Sequence, residues 1–200
     1  MLNNSKYVSA SASGQKDVWV ALGSNQPSAV GGPADTLLHA IELLKQKGCD
    51  IQAVSRLFVN PAFPLGSGPD YVNAVVGFRT DRTAAEILEV LHDIEATLGR
   101  ERHVRWGARS VDLDLVAVGS VVCPDAQTQN HWRTLPLNDQ MSRTPDELIL
   151  PHPRLQDRAF VLIPMAEIAP DWLHPTLGKT VLQMLNDLSQ QDKDDVRPIE

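Results

Sequence analysis

At 200 residues the chain has room for one domain with a substantial core and is short for two. Its formal net charge of −7 at pH 7 argues against general binding to nucleic acid or to anionic membrane surfaces, both of which favour a basic balance. No apolar run reaches the roughly 18 residues that span a bilayer, and Cys49 and Cys123 lack any Cys-x-x-Cys metal spacing, so a reducing compartment is the simplest expectation.

Residues 1–16 are rich in Ser, Ala and Asn without an apolar stretch. They read as a loose tail rather than a targeting signal, which makes the cytoplasm the default location. Residues 17–22 (DVWVAL) form a short buried-strand candidate ending at Gly23-Ser24-Asn25, a turn expected at the sheet edge. That turn has neither the lysine nor the glycine spacing of a P-loop. Residues 33–47 carry Leu37, Leu38, Ile41 and Leu44 at helical spacing, with Gly48 as the C-cap. Residues 51–59 read as one strand and residues 71–80 (YVNAVVGFRT) as another, rich in β-branched and aromatic side chains. Thr83 and Glu86 make a capping box that opens a helix with the apolar stripe Ile87, Leu88, Leu91, Ile94 and Leu98, closed by Gly99.

Residues 110–118 (SVDLDLVAV) alternate, so Val111, Leu113, Leu115 and Ala117 are expected on one face and Asp112 and Asp114 on the other. The resulting order is β-α-β-β-α-β, an α+β, ferredoxin-like antiparallel sheet with its helices on one face and a C-terminal extension. Residues 17–190 read as a single domain with an insertion at 119–147, where proline and polar residues show no clear period, as a functional flap or a mobile segment would. Residues 180–188 suggest a final short helix, and residues 191–200 a C-terminal tail.

The chemistry concentrates in residues 100–114, RERHVRWGARSVDLD. Four arginines beside two aspartates would be poor design for a plain surface. The pattern makes sense if a polyphosphate with its metal ions lies between them, held by arginine forks and by carboxylates on Mg²⁺. Two carboxylates roughly 7 Å apart, two strand rises of about 3.3 Å, can grip one or two hard cations. An exposed strand face carrying two solvated acids is the plainer alternative for the Asp-x-Asp alone.

Several ordered blocks then converge on one family. They are Ala21-Leu22-Gly23-Ser24-Asn25, Asn60-Pro61-Ala62-Phe63 with Pro69-Asp70-Tyr71-Val72-Asn73, Ile94-Glu95 through Leu98-Gly99-Arg100, Arg105-Trp106-Gly107-Ala108-Arg109, Val111-Asp112-Leu113-Asp114-Leu115, and Leu150-Pro151-His152-Pro153-Arg154 with Asp157-Arg158-Ala159-Phe160-Val161. Over residues 17–188 the chain resembles 6-hydroxymethyl-7,8-dihydropterin pyrophosphokinases, folate-pathway diphosphotransferases. The resemblance implies Mg²⁺-dependent transfer of pyrophosphate from ATP to the pterin alcohol with release of AMP. It implies two Mg²⁺ ions on Asp112 and Asp114, with Arg109 and Arg102 beside them in catalysis. For the pterin it implies Tyr71 and Phe160 as sandwiching rings, Asn73 as the amide reading the ring edge, and Asn60 and Phe63 as largely backbone contacts. For ATP it implies His92, Glu95, Arg102, Arg105, Trp106, Arg109, Leu115, His152 and Arg158. Loops 63–70 and 101–108 would close over both substrates. Partners are then small molecules, with no nucleic acid and no membrane, and the protein is a monomer or a homodimer.

The chain departs from the family's common pattern at four places. His92 stands where glutamine is frequent, Ala108 where proline is common, Asn60 where threonine is common, and Ile149 where a hydroxyl residue usually precedes the histidine block. Two other classes share the scaffold. An RNA-recognition module would need a basic-glycine-aromatic run in residues 71–80, which is missing. A nucleotide-binding domain without turnover would have no use for both aspartates.

Overall fold

The computed structural model describes residues 14–99 and 110–199. The sheet grows from β1 (Lys16–Ser24), whose alternation puts Val18, Val20 and Leu22 on one face and Trp19 and Ala21 on the other. Helix α1 (Pro33–Gln46) starts with proline in its first turn, and the Asp35 carboxylate accepts the Gly32 N–H at 3.1 Å. It buries Leu37, Ala40, Ile41 and Leu44 and ends at Gly48, whose φ of +81° suits glycine.

The expected strand over residues 51–59 is two strands, β2 (Asp50–Val54) and β3 (Phe58–Asn60), both antiparallel to β4 (Tyr71–Thr80). Ser55 makes the break. Its hydroxyl, rather than a backbone carbonyl, accepts the Val75 N–H at 3.0 Å, so the ladder turns where the side chain intrudes. Helix α2 (Ala84–Thr97) has the capping box in place: Glu86 N–H donates to Thr83 Oγ1 at 3.3 Å and Thr83 N–H to Glu86 Oε2 at 2.8 Å. Such a cap stabilises a helix by about 1 kcal/mol.

Strand β5 (Asp112–Val118) pairs with β1, and the sheet order is β5-β1-β4-β3, with β2 also on β4. The β-α-β-β-α-β arrangement is therefore present, and α1 and α2 share one face with Val18, Leu22, Val76, Phe78 and Leu113. One expected face assignment changes. Trp19 pairs with Ala117 but Val20 with Leu115, so Val116 is an extra residue. This bulge turns Val116 and Ala117 together to the face opposite Leu113 and Leu115.

That second face is covered by the C-terminal extension. Helices α5 (Ala159–Ile168) and α6 (Val181–Asp187) lay Val161, Leu162, Met165, Val181 and Met184 on Ala21, Val75, Val116 and Ala117. Each large side chain so buried contributes about 1.5–3 kcal/mol. Residues 119–147 are not structureless. They contain α3 (Ala126–Thr134), capped by Asp125, and α4 (Leu137–Ser142). The expected tail at 191–200 also has structure, and the helix at 180–188 is not the last. After α7 (Gln190–Asp194), β6 (Arg197–Pro198) pairs with β3, Ile199 N–H donates to the Leu57 carbonyl at 2.9 Å, and Val196 is buried. Both cysteines are free and buried. No described helix is long and apolar enough to cross a membrane.

Candidate active site

Antiparallel registry builds the site. Gly23 on β1 pairs with Asn73 on β4 and with Asp112 on β5, while Asn73 also pairs with Phe58 on β3. Directly paired residues share a face, so Phe58, Asn73, Gly23 and Asp112 form one row across four strands. The next row outward holds Asn60 opposite Tyr71, and the next inward holds Val75, Ala21 and Asp114. All lie on the face that α5 covers. Gly23 keeps the row open: a Cβ there would lie 3.2 Å from Asn73 Oδ1.

The amide end of the row is fixed. Asn73 is buried and its Nδ2 donates to Asn60 Oδ1, while Asn60 Nδ2 donates to the Pro61 carbonyl at 2.8 Å. The asparagine at position 60 thus orients Asn73, a side-chain role the sequence did not reveal. Tyr71 and Phe160 are both half-buried. Phe160 packs against the Phe58, Ala159 and Val196 cluster and carries the Arg158 guanidinium 5.6 Å from its ring centre. Phe63 is 72% exposed on the loop between β3 and β4, with Leu65 beside it at 85%.

The acidic end has its own partners. Asp114 Oδ2 meets Arg158 Nη1 at 3.3 Å, and Asp114, His152 and Arg158 line one niche with Ala21, Val116, Leu155 and Val161. Burial holds the His152 pKa well below its usual value, helped by Arg158 and Arg154 and opposed by Asp112. Its Nδ1 accepts the Arg154 N–H at 3.1 Å, which assigns the neutral ring's proton to Nε2. The loop is held by His152 N–H donating to the Val116 carbonyl at 2.8 Å and by a mutual pair between Cys123 and Leu150. On its other side Gln129, fully buried in α3, donates to the Pro151 carbonyl at 3.3 Å and accepts from Thr176 Oγ1 at 3.0 Å.

On the flank of β5, α2 presents His92, exposed, and one turn later Glu95. Glu95 is not the exposed acid that a place at the edge of the helix stripe would allow: it is 2% exposed and its Oε1 accepts the Leu113 N–H at 2.8 Å. Leu115 is not with the other candidates. Its side chain is buried beneath α1 and α2, on the face opposite Asp112 and Asp114. Arg100, Arg102, Arg105, Trp106 and Arg109, with loop 101–108, lie outside the described residues.

The Gly23-Ser24-Asn25 turn corrects a further expectation. It closes an interior strand, not the sheet edge, and it ties both flanks of the site. Buried Ser24 donates its hydroxyl proton to the Ser110 carbonyl at 2.6 Å, two residues before Asp112, and buried Asn25 donates Nδ2 to the Pro69 carbonyl at 3.3 Å, two residues before Tyr71. Only the polar character of a turn following an apolar strand hinted at this.

The acids suit a hard cation. Asp112 and Asp114 are partly exposed carboxylates on one face, and no group of three His, Cys, Asp or Glu poised for a metal occurs among the described residues. One or two carboxylates completed by water and substrate phosphates is the way Mg²⁺ is commonly held.

The family model described as 7,8-dihydro-6-hydroxymethylpterin-pyrophosphokinase matches residues 19–170. A 2-amino-4-hydroxy-6-hydroxymethyldihydropteridine pyrophosphokinase of Synechocystis sp. is 36% identical over 167 residues, covering 83% of this chain and 73% of that one. The folic acid synthesis protein FOL1 of Dictyostelium discoideum is 27% identical over 184 residues, 92% of this chain but 24% of its own length. Among solved structures, wild-type HPPK-DHPS of Plasmodium falciparum superposes with a TM-score of 0.61 at 13% identity, covering 90% of this chain and 46% of that one, a likeness of fold. The chain therefore spans under half of the longer relatives and most of the shorter one. With 152 consecutive residues matched by the family model, from 19 to 170, the chain belongs to the 7,8-dihydro-6-hydroxymethylpterin-pyrophosphokinase family.

Proposed function

We propose that the protein transfers pyrophosphate from ATP to the hydroxymethyl group of 6-hydroxymethyl-7,8-dihydropterin, releasing AMP, in folate biosynthesis. The observation that carries this reading is the row Asn73, Gly23, Asp112: an oriented amide and a carboxylate lie on the same face of the sheet with no side chain between them. A planar heteroaromatic lying between Tyr71 and Phe160 would meet the Asn73 amide with its polar edge and point its substituent towards Asp112. Stacking and edge recognition divide the work, since ring faces give affinity and the amide gives orientation. Asn60 holds that amide, and the backbone around Phe63 covers the pterin from the loop.

Two Mg²⁺ ions, when bound by Asp112 and Asp114, supply charge neutralisation to the triphosphate. Arg158 lies beside Asp114 and reaches phosphate oxygens on the other side. This reading also gives Arg102, Arg105 and Arg109 phosphate contacts, with Arg102 and Arg109 serving catalysis. His152, neutral, offers its Nε2–H to the nucleotide and keeps that protonation state near pH 7. His92 and Trp106 contribute to the nucleotide pocket, and Leu115 does so through its backbone. In the transfer the pterin alcohol oxygen bonds to the β-phosphorus as the bond from that phosphorus to the α-phosphate oxygen breaks. The alcohol proton goes to solvent, and AMP leaves with the electron pair. Catalysis of this type is chiefly positioning and electrostatic stabilisation.

The test is AMP release from ATP and the reduced pterin alcohol, with and without Mg²⁺. Dependence on both pterin and metal is expected. AMP formation that ignores the pterin would overturn the assignment.

A further inference from the structure

Glu95 is a carboxylate buried to 2% exposure on the inner side of α2, beside Leu91 and Ile94. A buried acid is costly unless its oxygens are hydrogen-bonded, and one of them takes the Leu113 N–H at 2.8 Å. Leu113 is the residue between the two aspartates. Among the described residues β5 is an outer strand of the sheet, paired with β1 on one side only. The N–H groups on its free side need a partner from elsewhere.

Antiparallel pairs alternate between those that exchange backbone hydrogen bonds and those that do not. With the Leu113 N–H turned outward to Glu95, Asp112 and Asp114 fall in the pairs that bond to Gly23 and Ala21. The strand is thus gripped from inside at each aspartate and from outside at the residue joining them. Rotation of the peptide units around Leu113 would swing the two carboxylates relative to one another. Two carboxylates that share cations tolerate little such freedom, and the partners that orient metal ligands commonly matter tenfold or more in affinity.

We infer that Glu95 is a positioning residue for the metal-binding pair: by holding the Leu113 peptide it fixes the separation and direction of the Asp112 and Asp114 carboxylates. This rests on the metal role proposed above for the two aspartates.

The experiment compares the full chain with Glu95→Ala and Glu95→Gln. One readout is Mn²⁺ binding followed by electron paramagnetic resonance with a non-hydrolysable ATP analogue. The other is hydrogen exchange of the Leu113 amide by NMR in the ligand-free protein. Glu95→Ala is expected to weaken Mn²⁺ binding by about tenfold or more and to speed Leu113 exchange. Glu95→Gln, whose Oε1 still accepts, is expected to stay within about threefold of wild type in metal affinity and to keep the amide protected. The loss in Glu95→Ala is expected to be larger for Mn²⁺ than for the analogue without metal. Wild-type Mn²⁺ affinity in Glu95→Ala, or an equal loss of analogue affinity without metal, would assign Glu95 elsewhere. Should Glu95→Ala not fold, a tenfold loss of Mn²⁺ affinity in Glu95→Gln alone overturns the inference. Unaltered Mn²⁺ binding in Asp112→Asn would instead sink the metal role, so the two failures are separable.

Discussion

Asn73 reaches its position through three neighbours, each doing something different. Asn60 takes its N–H, β1 sets its height on the sheet, and Gly23 leaves its oxygen room. Gly23→Ala isolates the last of these, because the residue's φ lies outside the left-handed region and only the 3.2 Å approach to Asn73 Oδ1 is at issue. The amide must yield by a few tenths of an ångström, so the pterin KM is expected to rise about fivefold, roughly 1 kcal/mol, with a smaller change in KM for ATP. Steady-state kinetics with each substrate varied checks this, and an unaltered pterin KM counts against the amide's role. At the other end of the row, Asp114→Ala is expected to lower kcat by about a hundredfold or more while the far-UV circular dichroism is retained. At this scale the sequence revealed side-chain chemistry but not hydrogen-bond partners. The acids, the arginine and the asparagine were legible because their types are unusual in such spacing. The service of Asn60 to Asn73, and of Glu95 to Leu113, joins residues 13 and 18 positions apart and has no local signature.

Elements with an apolar period were legible, and elements without one were not. Helices α1 and α2 bury stripes of Leu and Ile, and their caps are written in consecutive residues. Helix α3 reads AQTQNHWRT, and the side chain it buries fully is a glutamine with bonded partners, so hydropathy is silent there. Its docking makes the segment at 119–147 a support for the His152 loop. Gln129→Ala is expected to raise the KM for ATP severalfold and leave that for pterin nearly unchanged, since the lost bonds lie behind Pro151. Equal shifts in both constants would mean general loosening instead. The loop before Tyr71 differs again, with Phe63 and Leu65 exposed at its tip while Asn25 and the β4 strand hold its end. Slower backbone exchange in residues 63–70 on adding ATP analogue and pterin together is the expected mark of closure. Exchange unaffected by both ligands would rule it out.

The molecule as a whole is a sheet with a helical layer on each face, and the second layer carries a pH-sensitive element away from the row of candidate site residues. His174 is buried, accepts at Nδ1 from the Thr176 and Leu177 N–H groups at 3.3 Å, and packs edge-on to Trp172 with ring centres 5.7 Å apart. Desolvation, with Arg133 adding to it, lowers its pKa to about 4 from 6.5. The native pKa is the lower one, so between pH 6.5 and 4 the unfolded chain binds the proton and the native state does not. Stability is therefore fully present above about pH 6.5 and is lost on acidification through that window, by on the order of 3 kcal/mol in all. Urea midpoints at pH 7 and pH 4.5 should separate in wild type and draw together in His174→Asn. An equal separation in both would remove His174 as the cause.

By itself the sequence determined the periodic elements, the β-α-β-β-α-β order and the residue types of the candidate site, because periodicity, capping and charge are properties of neighbours along the chain. Only the tertiary structure decided that Ser55 splits one strand into two, that a bulge at Val116 turns Ala117 to the other face, and that the last residues return as an edge strand on β3. It also decided that Glu95 is buried against the strand between the aspartates. Each of these depends on which distant backbone group lies within hydrogen-bonding reach, and that is fixed by strand registry and packing rather than by any local pattern.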